Sequence, residues 1–342
     1  MREPTLDPTS VPAGEGLPPA RGPLSEAMLG VLRKRDTRGD PILVPADPLG
    51  DDDLHLALAL SYELSYRGLP EVPDELEWDP AVLGIRRVLE DTFEASLRRS
   101  IPREDVDAAD VPDRLREIAA PPDEDSLSTF IERGATLEQA REFLIHRSAY
   151  QLKEADPHSW VIPRLEGAAK TAVMEIQYDE YGSGDPSWMH AELFRNTMVA
   201  AGLDGSYGAY LGLLPGSTLA TVNLISLFGL HRRLRGALVG HLAAFEMTSS
   251  LPNRAYGRGF RRLGLDDEAT RFFDEHVEAD SVHEVLACDL AALVATREPD
   301  LAGDVVFGAT AMALLEDRFA DRLLSRWKAG TSTLLHAAAT AR

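Results

Sequence analysis

The chain of 342 residues contains one cysteine, Cys288. That count excludes an internal disulfide, zinc sites of four cysteines and cysteine-ligated iron–sulfur clusters, and a reducing cytoplasm fits best. Positive charge is also short. Lys and Arg number 35 against 56 Asp and Glu, a formal net charge of −21, which argues against nucleic acid or membrane as partners. No run of about 18 apolar residues marks a membrane span. The opening MREPTLDPTSVPAGEGLPPARG lacks the basic and apolar stretches of a secretory signal. No alternating strand pattern stands out, and no repeat of roughly 20–50 residues is present.

What is present is helical. Hydrophobic residues make up 44% of the chain, enough for a sizeable core. Residues 1–24 read as a flexible tail of Pro, Gly and charge. Asp51 to Asp53 form an N-cap cluster ahead of LHLALALSYELSYRG, and Pro80 opens DPAVLGIRRVLEDTFEASLRRS. Proline-rich acidic stretches near 101–113 and 120–126 separate an N-terminal helical region, 25–120, from a second helical domain, 121–330, with a tail at 331–342. In the second domain, Asp185 and Pro186 predict a helix start before MHAELF. LATVNLISLFGLHRRLRGALVGHLAAFEMTSS reads as one long helix, broken by Pro252. The class is all-α.

The informative anomaly is DEHVEADSVHEV. On a helix from Ala269, the inward stripe runs Ala269, Phe273, His276, Asp280, His283, Ala287, Leu290. At about 100° per residue, the three polar members fall within roughly 60° of arc, while Glu278 and Glu284 lie off it. A buried carboxylate needs a partner. Two readings satisfy that need: an Asp bridging two histidines, or a metal held by imidazole and carboxylate. The anomaly recurs elsewhere. Glu246 shares a face with Val239, Leu242 and Ala243; Glu180 follows Ala169, Val173 and Ile176; His190 shares a face with Leu193, Phe194 and Thr197. Together these are three carboxylates and three histidines, a donor set that suits two iron or manganese ions better than a closed zinc site. Glu175 is a candidate support for a ligand. No catalytic residue beyond these ligands stands out.

Ferritin-like bundles carry Glu-x-x-His on two helices; here only Asp280–His283 has that kind of spacing. The chain instead resembles the haem-oxygenase-like di-iron oxidases and oxygenases. The likeness rests on Glu180, His190 ten residues on, a distant Glu246, and His276-Val-Glu-Ala-Asp280-Ser-Val-His283. HRSAYQLKEADPHSWVIPRL, EIQYDEYGSG and MHAELF add to it, over about residues 125–330. The resemblance implies a seven-helix haem-oxygenase-like bundle without haem, here with the additional N-terminal helices, and two irons. It implies that O2 binds the reduced pair to give a peroxo-diferric species. That species would N-oxygenate an amine or amino-acid metabolite, or cleave a C–C bond or decarboxylate. It also implies an external electron donor, and Glu154 as a further carboxylate ligand.

Other classes compatible with the residues are a non-catalytic metal- or partner-binding helical protein and a di-metal hydrolase. Arg254, Arg258, Arg261 and Arg262 gather near Tyr256. They could hold a substrate carboxylate or pair with acidic surface. His55, His146, His158 and His336 suggest no partner, His231 reads as basic surface, and Cys288 reads as a packing residue. The N-terminal helices could cap the core, form a homodimer surface or recognise a partner.

Overall fold

Helix starts follow the capping chemistry. Asp51 accepts from the Asp53 and Leu54 amides at the head of one helix, and Asp79 from Ala81 at another. Thr136 and Gln139 form a capping box, and Asp266 accepts from Ala269. In this computed structural model the described residues are 16–34, 44–121 and 125–335, without the side chains of Asp280 and Ser281. The helices are α1 Pro23–Leu32, α2 Asp52–Glu63, α3 Pro80–Ser100, α4 Val111–Ile118, α5 Leu127–Arg133, α6 Leu137–Gln151, α7 Asp156–Ser159, α8 Gly167–Glu180, α9 His190–Ala200, α10 Gly216–Leu230, α11 Arg235–Arg262, α12 Asp267–Arg297 and α13 Ala302–Lys328. Among the described residues there is no strand.

The long helices α11, α12 and α13 form the spine, and α8 and α9 lie against α12. Two glycines bring α11 and α13 into backbone contact. A Cβ on Gly240 would lie 1.8 Å from the Val305 carbonyl oxygen, and one on Gly308 would lie 1.9 Å from that of Ala237. The N-terminal helices share this core. One apolar cluster runs from Leu24 to Leu334; α2 packs on α10, and α4 on the spine. Arg21, expected in the tail, reaches the carbonyls of Asp52, Leu211 and Gly212. His336 and the rest of the C-terminal tail lie outside the described residues, but Thr333 bonds Glu142 and His146 inside the core.

Three local expectations are corrected. The long segment after Gly216 is two helices, parted at His231–Leu234. Pro252 does not stop α11, which runs on to Arg262. An interior proline costs about 3 kcal/mol, but the following turns bury Tyr256 and Phe260 and seat Gly259 against the Ile131 carbonyl. Packing outweighs the lost hydrogen bond. Finally, Asp185 and Pro186 cap only a single tight turn, and α9 begins at His190.

Candidate metal centre

Each polar residue of the inward faces is delivered by a different device. Glu180 is the last residue of α8 and His190 the first of α9. The chain reverses between them through Gly182 and Gly184, with φ of 75° and 93°, and Ser183 at 52°. A Cβ on Gly182 would sit 2.7 Å from the Met189 nitrogen, so only glycine lets the two ends close. Glu246 comes from α11, His276 and His283 from α12, and Glu154 from the turn between α6 and α7. All six are buried.

They form two groups. Glu154, His190 and His276 each offer an atom within 4.8 Å of the others, as do Glu180, Glu246 and His283. Glu180 touches both groups: Oε2 is 2.9 Å from His190 Nδ1, and Oε1 is 4.0 Å from His283 Nδ1. Glu154 Oε1 lies 3.4 Å from His276 Nε2, and Glu246 Oε2 lies 3.5 Å from His283 Nδ1. Both α12 histidines are oriented from behind. His276 Nδ1 faces the Phe272 carbonyl at 2.8 Å, and His283 Nε2 faces Asp179 Oδ2 at 3.2 Å. A ring nitrogen facing such an acceptor carries the proton, which leaves the other nitrogen's lone pair pointing into the cluster. Asp179 is itself held, accepting from Ser183 Oγ at 2.8 Å.

The buried donors shift one another's protonation strongly. Burial alone would raise the Glu180 carboxyl, but His190, His276 and His283 bring it down to about 2. Burial would lower His283, yet Glu246, Asp179 and Glu180 push it up to about 9. His190 is likewise raised, burial being outweighed chiefly by Glu180. Glu154 Oε1 and Oε2, Glu180 Oε2, His190 Nδ1 and His283 Nδ1 are buried and make no hydrogen bond of good geometry among the described residues, the close Glu180–His190 contact included. Buried polar atoms in folded proteins are mostly paired, and the other such atoms here are scattered singly. Five orphans facing one another fit a metal pair, since cations satisfy carboxylate and imidazole lone pairs together.

A family model described as iron-containing redox enzyme matches residues 141–317, more than half of the chain. The chain belongs to this family. The iron-containing redox enzyme is an oxidoreductase by that membership, and the two buried clusters give it places for iron. The crystal structure of a CADD-like protein of unknown function from Nostoc punctiforme shares its helical fold. The two have 14% identity and a TM-score of 0.51, with 64% of this chain and 97% of that one covered. No curated protein matches. None of the described helices is long and apolar enough to cross a membrane.

Asp280 lies on α12 between the two histidines, but its side chain is outside the described residues. Glu175 is exposed, so it supports no ligand; Asp179, one turn further on, contacts His283 instead. The arginines near Tyr256 do not gather around the site. Arg254 is exposed, Arg258 pairs with Glu132, Arg261 with Asp274, and Arg262 binds the carbonyls of Ile131, Glu132 and Ala135. Tyr256 packs between Phe143 and Phe273. The continuous α11 is the reason, because without a break these side chains stay on its outer turns or in its packing face.

Sequence reasoning missed His158. It lines a small cavity of about 10 Å³ with Glu154, Glu180, Glu246 and His276, and meets His241 at 3.2 Å. Burial holds His158 down to about 4 and His241 well below the usual imidazole range. Its spacing of four residues from Glu154 was the available signal.

Proposed function

We propose that the two clusters would hold a pair of iron ions, one at Glu154, His190 and His276 and one at Glu180, Glu246 and His283. The protein then uses O2 and an external electron donor to oxidise a small amino-acid-like substrate, N-oxygenating its amine. The observation that carries this reading is the set of five buried, orphaned donor atoms divided between two groups that meet at Glu180. Family membership supports iron and redox chemistry; the amine substrate rests on the likeness of the ligand pattern. Manganese suits the same donors.

When bound, iron would supply electrons to O2 and the oxidising power directed at the substrate. The chain does the rest. Asp179 and the Phe272 carbonyl fix the tautomers of His283 and His276. Ile176, Leu242 and Phe245 give the cavity an apolar wall. His158, neutral at pH 7, places an imidazole on the cavity wall, joined to a second at His241. A cavity of about 10 Å³ admits no more than a water-sized molecule. A metabolite therefore enters by displacing part of the wall.

The test loads the protein anaerobically with ferrous iron and mixes it with O2 and a panel of amines and amino acids, with products read by mass spectrometry. Gain of one oxygen on nitrogen is expected. Loss of carbon dioxide or a carbon fragment would replace N-oxygenation with C–C cleavage. Equal turnover with zinc would indicate a hydrolase. Metal binding without oxygen consumption across the panel would contradict an oxidase altogether.

A further inference from the structure

Glu154 differs from the other five candidate ligands in one respect. They sit within or at the ends of helices α8, α9, α11 and α12, whereas Glu154 sits in the four-residue turn between Gln151 and Asp156. A turn does not by itself hold a side chain to the tolerance a metal site needs. This turn is tied from outside by the end of α2 and the residues just after it. Arg67 donates to the Leu152 carbonyl at 3.0 Å and lies 3.9 Å from Asp156. The Lys153 ammonium is 1% exposed and is bonded to Glu63. It lies 4.1 Å over the Tyr66 ring. Glu63 is held in turn by Tyr207, whose hydroxyl donates to it at 2.5 Å, and Arg67 stacks 4.4 Å over Tyr207.

The geometry is that of a two-sided clamp. Lys153 and Glu154 are adjacent and project in different directions, one to α2 and one to His276. A buried ammonium cannot leave its carboxylate without a large desolvation cost. Fixing Lys153 therefore fixes the rotation of the turn and with it the aim of Glu154. We infer that Glu63, Lys153 and Arg67 are positioning residues for the metal held by Glu154, His190 and His276. The N-terminal helical region is on this inference a working part of the metal centre. The inference rests on the metal reading proposed above.

Breaking Lys153 or Glu63 singly would strand a buried charge, so the informative variant is Glu63→Leu combined with Lys153→Met. Replacing a buried ion pair by apolar groups is often neutral for stability. The second variant is Arg67→Ala, with Arg67→Lys as the conservative rescue. Two readouts are taken on each: calorimetric titration of anaerobic protein with ferrous iron, and amide hydrogen exchange of residues 152–156 without metal. The inference predicts that the double variant and Arg67→Ala keep one iron unchanged, weaken the other by about tenfold or more, and exchange faster at 152–156. Arg67→Lys recovers part of the affinity. Arg233→Ala cuts the Arg233–Glu94 pair elsewhere among the N-terminal contacts and leaves both irons as in the unsubstituted protein. Two irons bound at undiminished affinity by the double variant and Arg67→Ala would overturn the inference, as would equal weakening in Arg233→Ala. Glu154→Ala separates the two levels. If it keeps both irons, the metal reading itself fails. If it loses one while the clamp variants lose none, only the clamp fails.

Discussion

Substituting Asp179 isolates one contact of the metal centre from the fold. Its Oδ2 takes the proton-bearing Nε2 of His283 at 3.2 Å, and its Oδ1 is steadied by Ser183. The Asp179 side chain is 42% exposed, while His283 is 1% exposed. Stability should therefore change little: Asp179 meets solvent and His283 keeps Glu180 and Glu246 beside it, so the loss is about 0–1 kcal/mol, as for exposed pairs. Metal affinity should change much more. Without Asp179 nothing fixes which ring nitrogen of His283 carries the proton, and the lone pair on Nδ1 is no longer assured toward Glu180 and Glu246. Partners of this kind are worth about 10–100-fold in affinity, or roughly 1.4–2.7 kcal/mol. Asp179→Ala should therefore weaken one of two ferrous sites by that factor in calorimetric titration, with the melting temperature of the metal-free protein nearly unchanged. Glu175→Ala, one turn away and exposed, should bind as the unsubstituted protein does. Weakening by Glu175→Ala with no effect of Asp179→Ala would refute the assignment.

Four further outcomes follow from the fold. Gly240→Ala places a Cβ against the Val305 carbonyl and should cost about 1–3 kcal/mol or more. Gly84→Ala, exposed within α3 with open space around it, should gain about 0.5–1 kcal/mol; thermal melts read both. Glu142 accepts from Trp327 Nε1 and from the amide and hydroxyl of Thr333, all buried. Glu142→Ala should cost about 1–3 kcal/mol for each donor left dry and loosen residues 331–335 in hydrogen exchange. His55 and His146 are held down to about 3, by burial first in both cases. The unfolded chain thus binds more protons than the folded one between that value and 6.5. Their contribution is complete above that window and is lost as pH falls through it, at about 1.4 kcal/mol per pH unit for each histidine. Denaturant midpoints that stay flat from neutral pH down to acid would contradict this.

The helical class and the α12 stripe were legible because helical periodicity is local. His276 and His283 share one face whatever the rest of the chain does, and Glu180, Glu246 and His190 each interrupt an apolar face on their own helices. The division into two groups was not legible, because it depends on how α8, α9, α11 and α12 meet. Asp179 was hidden beside Glu180, since a carboxylate near a helix end reads as solvated until Ser183 turns back over it. The Glu63–Lys153 pair spans 90 residues of chain and carries no local pattern. Pro252 misled because the proline rule is local, whereas the packing of Tyr256, Gly259 and Phe260 that overrides it is tertiary.

On the proposed reading the chain holds two irons close together that react with O2. The measurement that addresses it most directly is electron paramagnetic resonance of protein loaded anaerobically with two ferrous equivalents and then exposed to O2, alongside the iron count per chain. Two irons per chain, with the ferric product silent through coupling between the two ions, is the predicted result. Isolated high-spin ferric signals accounting for all the iron, or ferrous iron that survives O2, would contradict it.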